Sequence, residues 1–199
     1  GAVGLAIAAE LSKTHATLVV EREASYGQGI SSRNSEVLHA GIYYPHKSLK
    51  AALCLQGRRR IADWAREDRF AWNPLGKYIV ATTDEEGRYL KGLERRAGMN
   101  GVDDLRLVTK SELSHLEPSV QASSALFSPS TAIIDSHGMM RMLAQKALSQ
   151  RAEFLYSHEV VALTRKNEDW QLAVKAMPRR SEKELRRNAL PKQGAGDSA

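Results

Sequence analysis

The chain has a single cysteine and no long apolar segment, and both shortages exclude classes of structure. Its 199 residues contain only Cys54, so an intramolecular disulfide and a cysteine-based zinc site are excluded. No apolar run approaches the roughly 20 residues of a membrane-spanning helix. The first residues also lack the basic and cleavage-like segments of a signal peptide. Because Cys54 lies in an apolar helical run, we expect a buried small side chain rather than a reactive thiol.

The positive charge is concentrated at the end of the chain. The net charge is +6, and residues 175–199 hold seven basic residues against three acidic ones. The remainder is therefore close to neutral, and we expect no nucleic-acid partner for the folded part. Apolar periodicity ends near Met177, which predicts a disordered or non-native tail over 176–199. An arm that binds nucleic acid or acidic lipid is the alternative.

The composition is typical of a globular protein, and the apolar periodicity predicts an α/β chain. Helices are predicted at 2–13, 47–66, 84–96, 110–116 and 136–149. Strands are predicted at 16–21, 77–82, 105–108, 124–127 and 132–134. A β-meander is predicted from 152–156, 159–165 and 170–174. We expect Asp84 and Ser136 to cap the helices that they begin.

The chain opens on a helix start that is typical of the second half of a dinucleotide-binding loop. Gly1 and Gly4 precede an apolar helical run, and Glu21 ends the next predicted strand. In this fingerprint the glycines let a pyrophosphate approach a helix N-terminus, and the acidic residue binds the adenosine ribose. We therefore predict cofactor contacts for these three residues. An ordinary helix start and an exposed strand-end carboxylate are the alternatives, and we expect the preceding strand to be missing.

A longer motif carries a more specific resemblance. The segment 30–45 reads ISSRNSEVLHAGIYYP, and similar motifs follow in order at 76–82 and 126–137. The chain resembles the L-2-hydroxyglutarate dehydrogenase group of FAD-dependent oxidoreductases, within the D-amino-acid oxidase superfamily. The resemblance runs from Gly1 to about Val161. Since family members are longer, it implies a fragment truncated at both ends and inactive alone.

The resemblance implies an α/β fold with a Rossmann-type FAD-binding domain and an antiparallel α+β second domain. It assigns 1–75 to the FAD-binding part, 76–135 to the start of a substrate domain, 136–175 to a return to the FAD-binding domain, and 176–199 to the tail. It implies FAD as cofactor and hydride transfer from L-2-hydroxyglutarate to flavin N5, which yields 2-oxoglutarate. The alternatives are an amine or amino-acid oxidase, a glycerol-3-phosphate dehydrogenase, or an inactive fragment or pseudoenzyme.

Polar residues of the motif are candidates for the FAD phosphates and the ribityl chain. Ser31, Ser32, Asn34 and Ser35 offer hydroxyl and amide groups, and Arg33 can neutralise pyrophosphate charge. A polar loop with capping serines is the alternative interpretation of the same residues.

His39 is the candidate catalytic residue. We predict that it lies beside the isoalloxazine as a substrate ligand, a proton acceptor or an electrostatic partner of the reduced flavin. Ala40 and Gly41 are small enough for a flat ring to approach. A packed structural histidine and a covalent link to the flavin are the alternatives. Arg22 is predicted to contact the adenosine, with a solvated charge as the alternative.

The remaining aromatic and histidine residues are interpreted as structural. Tyr43 and Tyr44 are expected in the core or at its rim, and His137 at a helix start. The other histidines have no metal-ligand spacing, so no metal is predicted; they are His15, His46, His115 and His158.

The resemblance also bears on partners and location. It implies a small 2-hydroxy acid as substrate and an electron acceptor of unknown identity. It leaves open a peripheral association of the full-length protein with a membrane. The expected compartment is the cytoplasm for a bacterial protein and the mitochondrion for a eukaryotic one.

Overall fold

The computed structural model describes residues 1–67 and 69–178. The helices are α1 (Ala2–Leu11), α2 (Leu49–Arg66), α3 (Asp84–Met99), α4 (Lys110–Leu116) and α5 (Ser136–Ser149). The strands are β1 (Leu18–Glu21), β2 (Val37–Leu38), β3 (Trp72–Asn73), β4 (Lys77–Ala81), β5 (Arg106–Thr109), β6 (Ser124–Ser128), β7 (Ala132–Ile134), β8 (Glu153–Tyr156), β9 (His158–Lys166) and β10 (Asp169–Ala176). None of the helices in these two stretches has the length and apolarity to cross a membrane.

The chain divides into two compact units. Unit 1 comprises Gly1, Val3–Gln28 and the residues from Ala144 onward, and unit 2 comprises Ala2 and Gly29–Leu143. The helix α5 begins in unit 2 and ends in unit 1. The predicted domain boundaries after residues 75 and 135 divide the chain by function, and they stay a prediction.

Unit 1 contains the parallel pair that a Rossmann-type domain requires. Strand β1 pairs in parallel with β8, from Leu18 opposite Glu153 to Glu21 opposite Tyr156. Apart from Ala2, all of unit 2 lies between these strands in the sequence, which satisfies the need of parallel strands for a crossover connection. Helix α1 buries Leu5, with only 1% of its surface exposed, in the core of this unit.

The predicted β-meander is wrong in its first strand. Strands β9 and β10 form the antiparallel hairpin that the sequence predicts, but β8 pairs with β1 instead of β9. The left-handed backbone of Ser157, at φ 56°, separates β8 from β9. Pairing between strands more than 130 residues apart leaves no trace in local periodicity, so the sequence could not reveal it.

Unit 2 holds two antiparallel three-stranded sheets, ordered β2-β7-β3 and β4-β6-β5. Both are antiparallel. The strands of the second sheet lie within residues 76–135, and the assignment of this range to a substrate domain stays a prediction. Strands β2 and β3 are only two residues long and were not predicted, because so short a strand shows no alternation. Helix α3 packs on the second sheet, and the side chains of Leu90 and Leu93 are buried there beside Leu126.

Two predicted caps lie one residue away from the observed ones. Thr83, rather than Asp84, caps α3: its hydroxyl accepts a hydrogen bond from Glu86 N–H, and the Glu86 carboxylate returns to the Thr83 backbone. Asp135, rather than Ser136, accepts the bond from Gly138 N–H at the start of α5, at 2.7 Å. Thr, Asp and Ser all favour N-caps, so propensity alone cannot choose between adjacent candidates.

The C-terminal prediction is mostly outside the described residues. Strand β10 continues to Ala176, two residues beyond the predicted end of the last strand. The predicted disordered tail, apart from its first three residues, lies outside the part of the chain that the structure describes.

Candidate functional site

The N-terminus of α1 and the end of β1 meet in unit 1. The Glu21 carboxylate lies 3.7 Å from the backbone nitrogen of Gly1, and 21% of the side chain is exposed. Its other oxygen accepts the Glu23 N–H at 3.0 Å, which fixes the carboxylate at the strand end. The sequence thus predicts a helix start and an acidic strand end, and the fold places them side by side.

The first turn of α1 is open to an anion. Gly1 makes no side-chain capping bond, and the first turn contains no acidic residue. A Cβ added to Gly4 would meet nothing within 4 Å, so this glycine leaves open space beside the helix start. The Ala2 N–H donates to the Ser31 hydroxyl, and the next amides of the turn are not bonded to the described residues. Such amides at a helix N-terminus favour phosphate oxygens, so this part of the chain fits a pyrophosphate.

Arg22 is held by acidic neighbours of unit 1. Its guanidinium lies 3.4 Å from the Glu23 carboxylate and 3.7 Å from that of Glu159. More than half of the side chain is exposed, so these ion pairs contribute little to stability. The predicted contact with the adenosine stays a prediction.

The polar segment of the motif is partly occupied by its own turn. Ile30–Ser32 forms a 3₁₀ helix, and the Ser32 hydroxyl donates to Gly29 O at 2.9 Å. The Asn34 amide donates to Ser31 O at 2.8 Å and accepts the Glu36 N–H at 2.7 Å. Two of the five predicted ligands thus already serve the alternative role of stabilising a polar loop.

The other three predicted ligands of this segment are available. The Ser31 hydroxyl accepts the Ala2 N–H at 3.1 Å, and both residues belong to unit 2. The hydroxyl proton of Ser31 is still available to donate. The side chains of Arg33 and Ser35 are exposed, and within residues 1–67 and 69–178 neither is bonded to another side chain. Their roles stay predictions.

Glu36, which the sequence did not single out, connects this segment to α5. Its carboxylate accepts the Ser136 hydroxyl at 2.7 Å and the Ser136 N–H at 3.0 Å. Its backbone adopts the left-handed region, at φ 57°, which is uncommon for glutamate. The hydrogen bonds from Ser136 lower the pKa of the Glu36 carboxyl from its ordinary value. Glu36 therefore anchors the polar segment to the start of a helix.

Replacing Glu36 with glutamine is expected to lower the free energy of unfolding by about 1–2 kcal/mol at neutral pH, because a charged acceptor becomes neutral. Because the pKa of the Glu36 carboxyl is lowered in the folded state, the charge contributes fully to stability at pH values above the ordinary pKa of 4.5. This contribution is lost as the pH falls through the folded-state pKa. The difference between wild type and Glu36→Gln should therefore shrink below about pH 4.5. Urea unfolding at several pH values measures it.

The control for this prediction is Glu168→Gln, which removes a charge at the exposed turn between β9 and β10. It should leave stability almost unchanged at every pH. A Glu36→Gln difference that persisted undiminished at pH 3 would show that the charge on Glu36 is not the cause.

The segment around His39 combines an exposed ring with a buried backbone. The His39 side chain is exposed and has no hydrogen bond to the described residues, and its role stays a prediction. Ala40 and Ile42 are buried, with 3% and 2% of their surfaces exposed. Gly41 has φ 90°, a conformation that requires glycine. The imidazole is therefore exposed beside a buried segment, and its nitrogens make no hydrogen bond to the part of the chain that the structure describes.

Cys54 supports this segment from α2. Its thiol donates to His39 O at 3.7 Å, and burial raises the pKa of the thiol from its ordinary value. The pKa of the neighbouring Tyr44 hydroxyl is also raised, chiefly by burial. A thiol with a raised pKa is a poor nucleophile, which agrees with the structural role predicted for Cys54, although the side chain is half-buried rather than buried.

The remaining histidines show no metal chemistry in the described chain. The His46 ring lies 3.2 Å from Asn100 Oδ1, and the His158 ring lies 2.8 Å from Tyr156 O. His137 is exposed in the first turn of α5. In residues 1–67 and 69–178 no group of three or more His, Cys, Asp or Glu side chains could hold a metal ion.

Comparison with known proteins identifies the family. The family model described as "FAD dependent oxidoreductase" matches residues 1–187. The chain belongs to this family. FAD is therefore the cofactor of the family to which the chain belongs, as predicted, and the match extends beyond Val161, where the resemblance predicted from sequence ended.

Curated relatives agree with the more specific resemblance. The chain is 40% identical over 148 residues to the mitochondrial L-2-hydroxyglutarate dehydrogenase of Arabidopsis thaliana, covering 74% of this chain and 31% of the relative. It is 29% identical over 170 residues to the L-2-hydroxyglutarate dehydrogenase of Indibacter alkaliphilus, covering 84% of this chain and 43% of the relative. The chain thus spans less than half the length of these relatives.

A solved structure confirms the fold. The FAD-bound L-α-glycerophosphate oxidase of Mycoplasma pneumoniae superposes with a TM-score of 0.82 at 24% identity, covering 89% of this chain and 49% of that one. At this identity the likeness establishes the fold alone. The predicted mixed α/β fold of an FAD-dependent oxidoreductase is confirmed.

Proposed function

We propose that this chain supplies the FAD-binding part and the start of the substrate domain of an enzyme that oxidises L-2-hydroxyglutarate to 2-oxoglutarate. The observation that carries the cofactor assignment is the Glu21 carboxylate, 3.7 Å from the nitrogen of Gly1 at an uncapped helix start. The substrate assignment is supported by the names of the relatives from Arabidopsis thaliana and Indibacter alkaliphilus.

The residues of unit 1 would hold the adenosine half of FAD. Glu21 would accept hydrogen bonds from the ribose hydroxyls, and the amides that follow Ala2 in the first turn of α1 would bind pyrophosphate oxygens. Arg33 offers a positive charge, and Ser31 and Ser35 offer hydroxyl protons, for oxygens of the FAD phosphates or ribityl chain. Ser32 and Asn34 contribute mainly by holding the turn in which these groups lie.

The residues after β2 would face the reacting centre. Ala40 and Gly41 allow the flat ring system to approach the backbone, since neither has a side chain larger than a methyl group. FAD, when bound, would supply the hydride-accepting chemistry for the oxidation of C2 of the substrate. The exposed imidazole of His39 takes the proton of the C2 hydroxyl, because its ring has no competing bond to the described residues.

The compartment follows from the source of the protein in this proposal. The plant relative is named as mitochondrial, and the bacterial relative has no such word in its name. We infer a mitochondrial location if the protein is eukaryotic and a cytoplasmic one if it is bacterial. The identity of the electron acceptor is not part of the proposal.

A chimera tests the function. The chain is substituted for the segment that it matches in the Arabidopsis thaliana relative, and the product is loaded with FAD. We expect the chimera to reduce a redox dye with L-2-hydroxyglutarate and not with the D enantiomer, because the chain brings its own cofactor and proton-accepting groups. The unmodified relative is the control. A chimera that folds and binds FAD but oxidises no 2-hydroxy acid would contradict the proposal.

A further inference from the structure

A lysine and a tyrosine of unit 2 form a pair with unused hydrogen-bond donors. Lys77 Nζ lies 3.1 Å from the Tyr43 hydroxyl oxygen and 4.8 Å from the centre of the Tyr43 ring. Tyr43 follows His39 by four residues, and 42% of its side chain is exposed. Lys77 is half-buried, whereas Tyr43 is accessible to a ligand and lies four residues from the proposed proton acceptor in the sequence.

The pair combines two kinds of donor, a charged ammonium and a neutral hydroxyl, whose heavy atoms are 3.1 Å apart. The ammonium has three protons and gives one to the Tyr43 oxygen, so two remain. The tyrosine oxygen accepts that bond and keeps its own O–H proton to donate. Within residues 1–67 and 69–178 no carboxylate lies within ion-pair distance of Lys77. Adjacent charged and neutral donors of this kind suit the two oxygens of one carboxylate.

The backbone on both sides of the pair is fixed. Lys77 begins β4 and lies opposite Ser128 in the sheet. Gly76, at φ 74°, donates its N–H to Thr131 O at 3.0 Å, and a Cβ at this position would come within 2.6 Å of the Phe127 ring. Next to Tyr43, Ile42 is buried. A rigid support allows a weak exposed contact to act as a specific binding site.

A second lysine–tyrosine pair of unit 2, Lys50 and Tyr44, can be compared with Lys77 and Tyr43. Lys50 Nζ also lies 4.8 Å from the centre of a tyrosine ring, that of Tyr44. There the tyrosine hydroxyl is half-buried and shares a hydrogen bond with the Cys54 side chain. The Tyr44 hydroxyl is therefore already engaged, and this second pair lacks the two adjacent free donors.

We propose that Lys77 and Tyr43 bind a carboxylate group of the substrate. The inference rests on the proposed function and deepens it, because it assigns the recognition of the acid group to this pair. It also assigns different residues to the two kinds of anion: the start of α1 to the phosphates of FAD, and Lys77 to the carboxylate of the substrate.

The test measures binding of glutarate, a dicarboxylate without a reacting hydroxyl, to the FAD-loaded protein by calorimetry. Lys77→Met should weaken glutarate binding by about tenfold or more, since a charge-assisted bond is lost, and Tyr43→Phe by less. Lys77→Arg should retain most of the affinity. The matched controls, Lys50→Met and Tyr44→Phe, should change it by less than about twofold.

A second readout does not depend on turnover. Acetylation of each lysine is followed by mass spectrometry with glutarate, with inorganic phosphate, or with neither. We expect glutarate to protect Lys77 and not Lys50, and phosphate to protect Lys77 less. Equal protection of both lysines, stronger protection by phosphate, or no effect of Lys77→Met on glutarate binding would overturn the inference.

The two proposals fail in different ways. If the chimera is inactive but its glutarate binding depends on Lys77, the proposed carboxylate site is supported and the proposed reaction is contradicted. If the chimera is active but Lys77→Met alters neither its glutarate affinity nor its KM for L-2-hydroxyglutarate, the proposed reaction is supported and the carboxylate site is contradicted.

Discussion

His39→Ala is expected to lower the turnover of the L-2-hydroxyglutarate-oxidising chimera by about 100-fold or more, because positioned general bases contribute factors of this size. The side chain is exposed, and its ring nitrogens have no bond to the described residues. The backbone around it is buried and fixed, so the loss of the ring should leave the fold intact. Steady-state dye reduction measures kcat and KM separately.

The two parameters distinguish the roles predicted for His39. A fall in kcat at constant KM indicates a proton acceptor, and a rise in KM indicates a substrate ligand. His46→Ala is the matched control, since this histidine lies seven residues further along and bonds to Asn100 instead. If neither kcat nor KM changed in His39→Ala, the residue would have no part in the reaction.

Glu21→Ala is expected to weaken FAD binding by about 10- to 100-fold, which corresponds to about 1–3 kcal/mol for the loss of charge-assisted hydrogen bonds. The carboxylate is held at the end of β1 by the Glu23 N–H and lies beside the first residue of the glycine-containing helix start. Titration of the apoprotein with FAD, followed by quenching of flavin fluorescence, measures the affinity.

A carboxylate at the other end of the same strand pair is the control for Glu21. Glu153 is exposed and lies opposite Leu18, at the start of β8. Its replacement with alanine removes the same charge from the same sheet and should leave FAD affinity nearly unchanged. Equal losses in the two variants would indicate a general effect of charge, and unchanged affinity in Glu21→Ala would remove the ribose contact from the proposal.

Local patterns were sufficient for most of the elements. The helix Lys110–Leu116 and the strand Ala132–Ile134 have the bounds that the sequence predicts. Both signals are local, because helix ends depend on caps and nearby proline, and buried strands on a short apolar run. The prediction of an acidic strand end at Glu21 depends on the same kind of information.

Contacts between distant residues were beyond the reach of the sequence. The parallel pairing of β8 with β1 and the anchoring of Glu36 to Ser136, 100 residues away, leave no periodic signal. The left-handed backbone of Glu36 also could not be predicted from the sequence, because glutamate rarely adopts this conformation.

The sequence by itself determined the family, the α/β class and the residues with the chemistry to bind a flavin, because these depend on motifs and on the order of elements along the chain. Only the tertiary structure decided which of those residues are free to bind. It showed that Asn34 and Ser32 are engaged in their own turn, that His39 is exposed, and that Lys77 meets Tyr43. The physical reason is that a side chain's availability depends on its neighbours in space, which long-range packing selects.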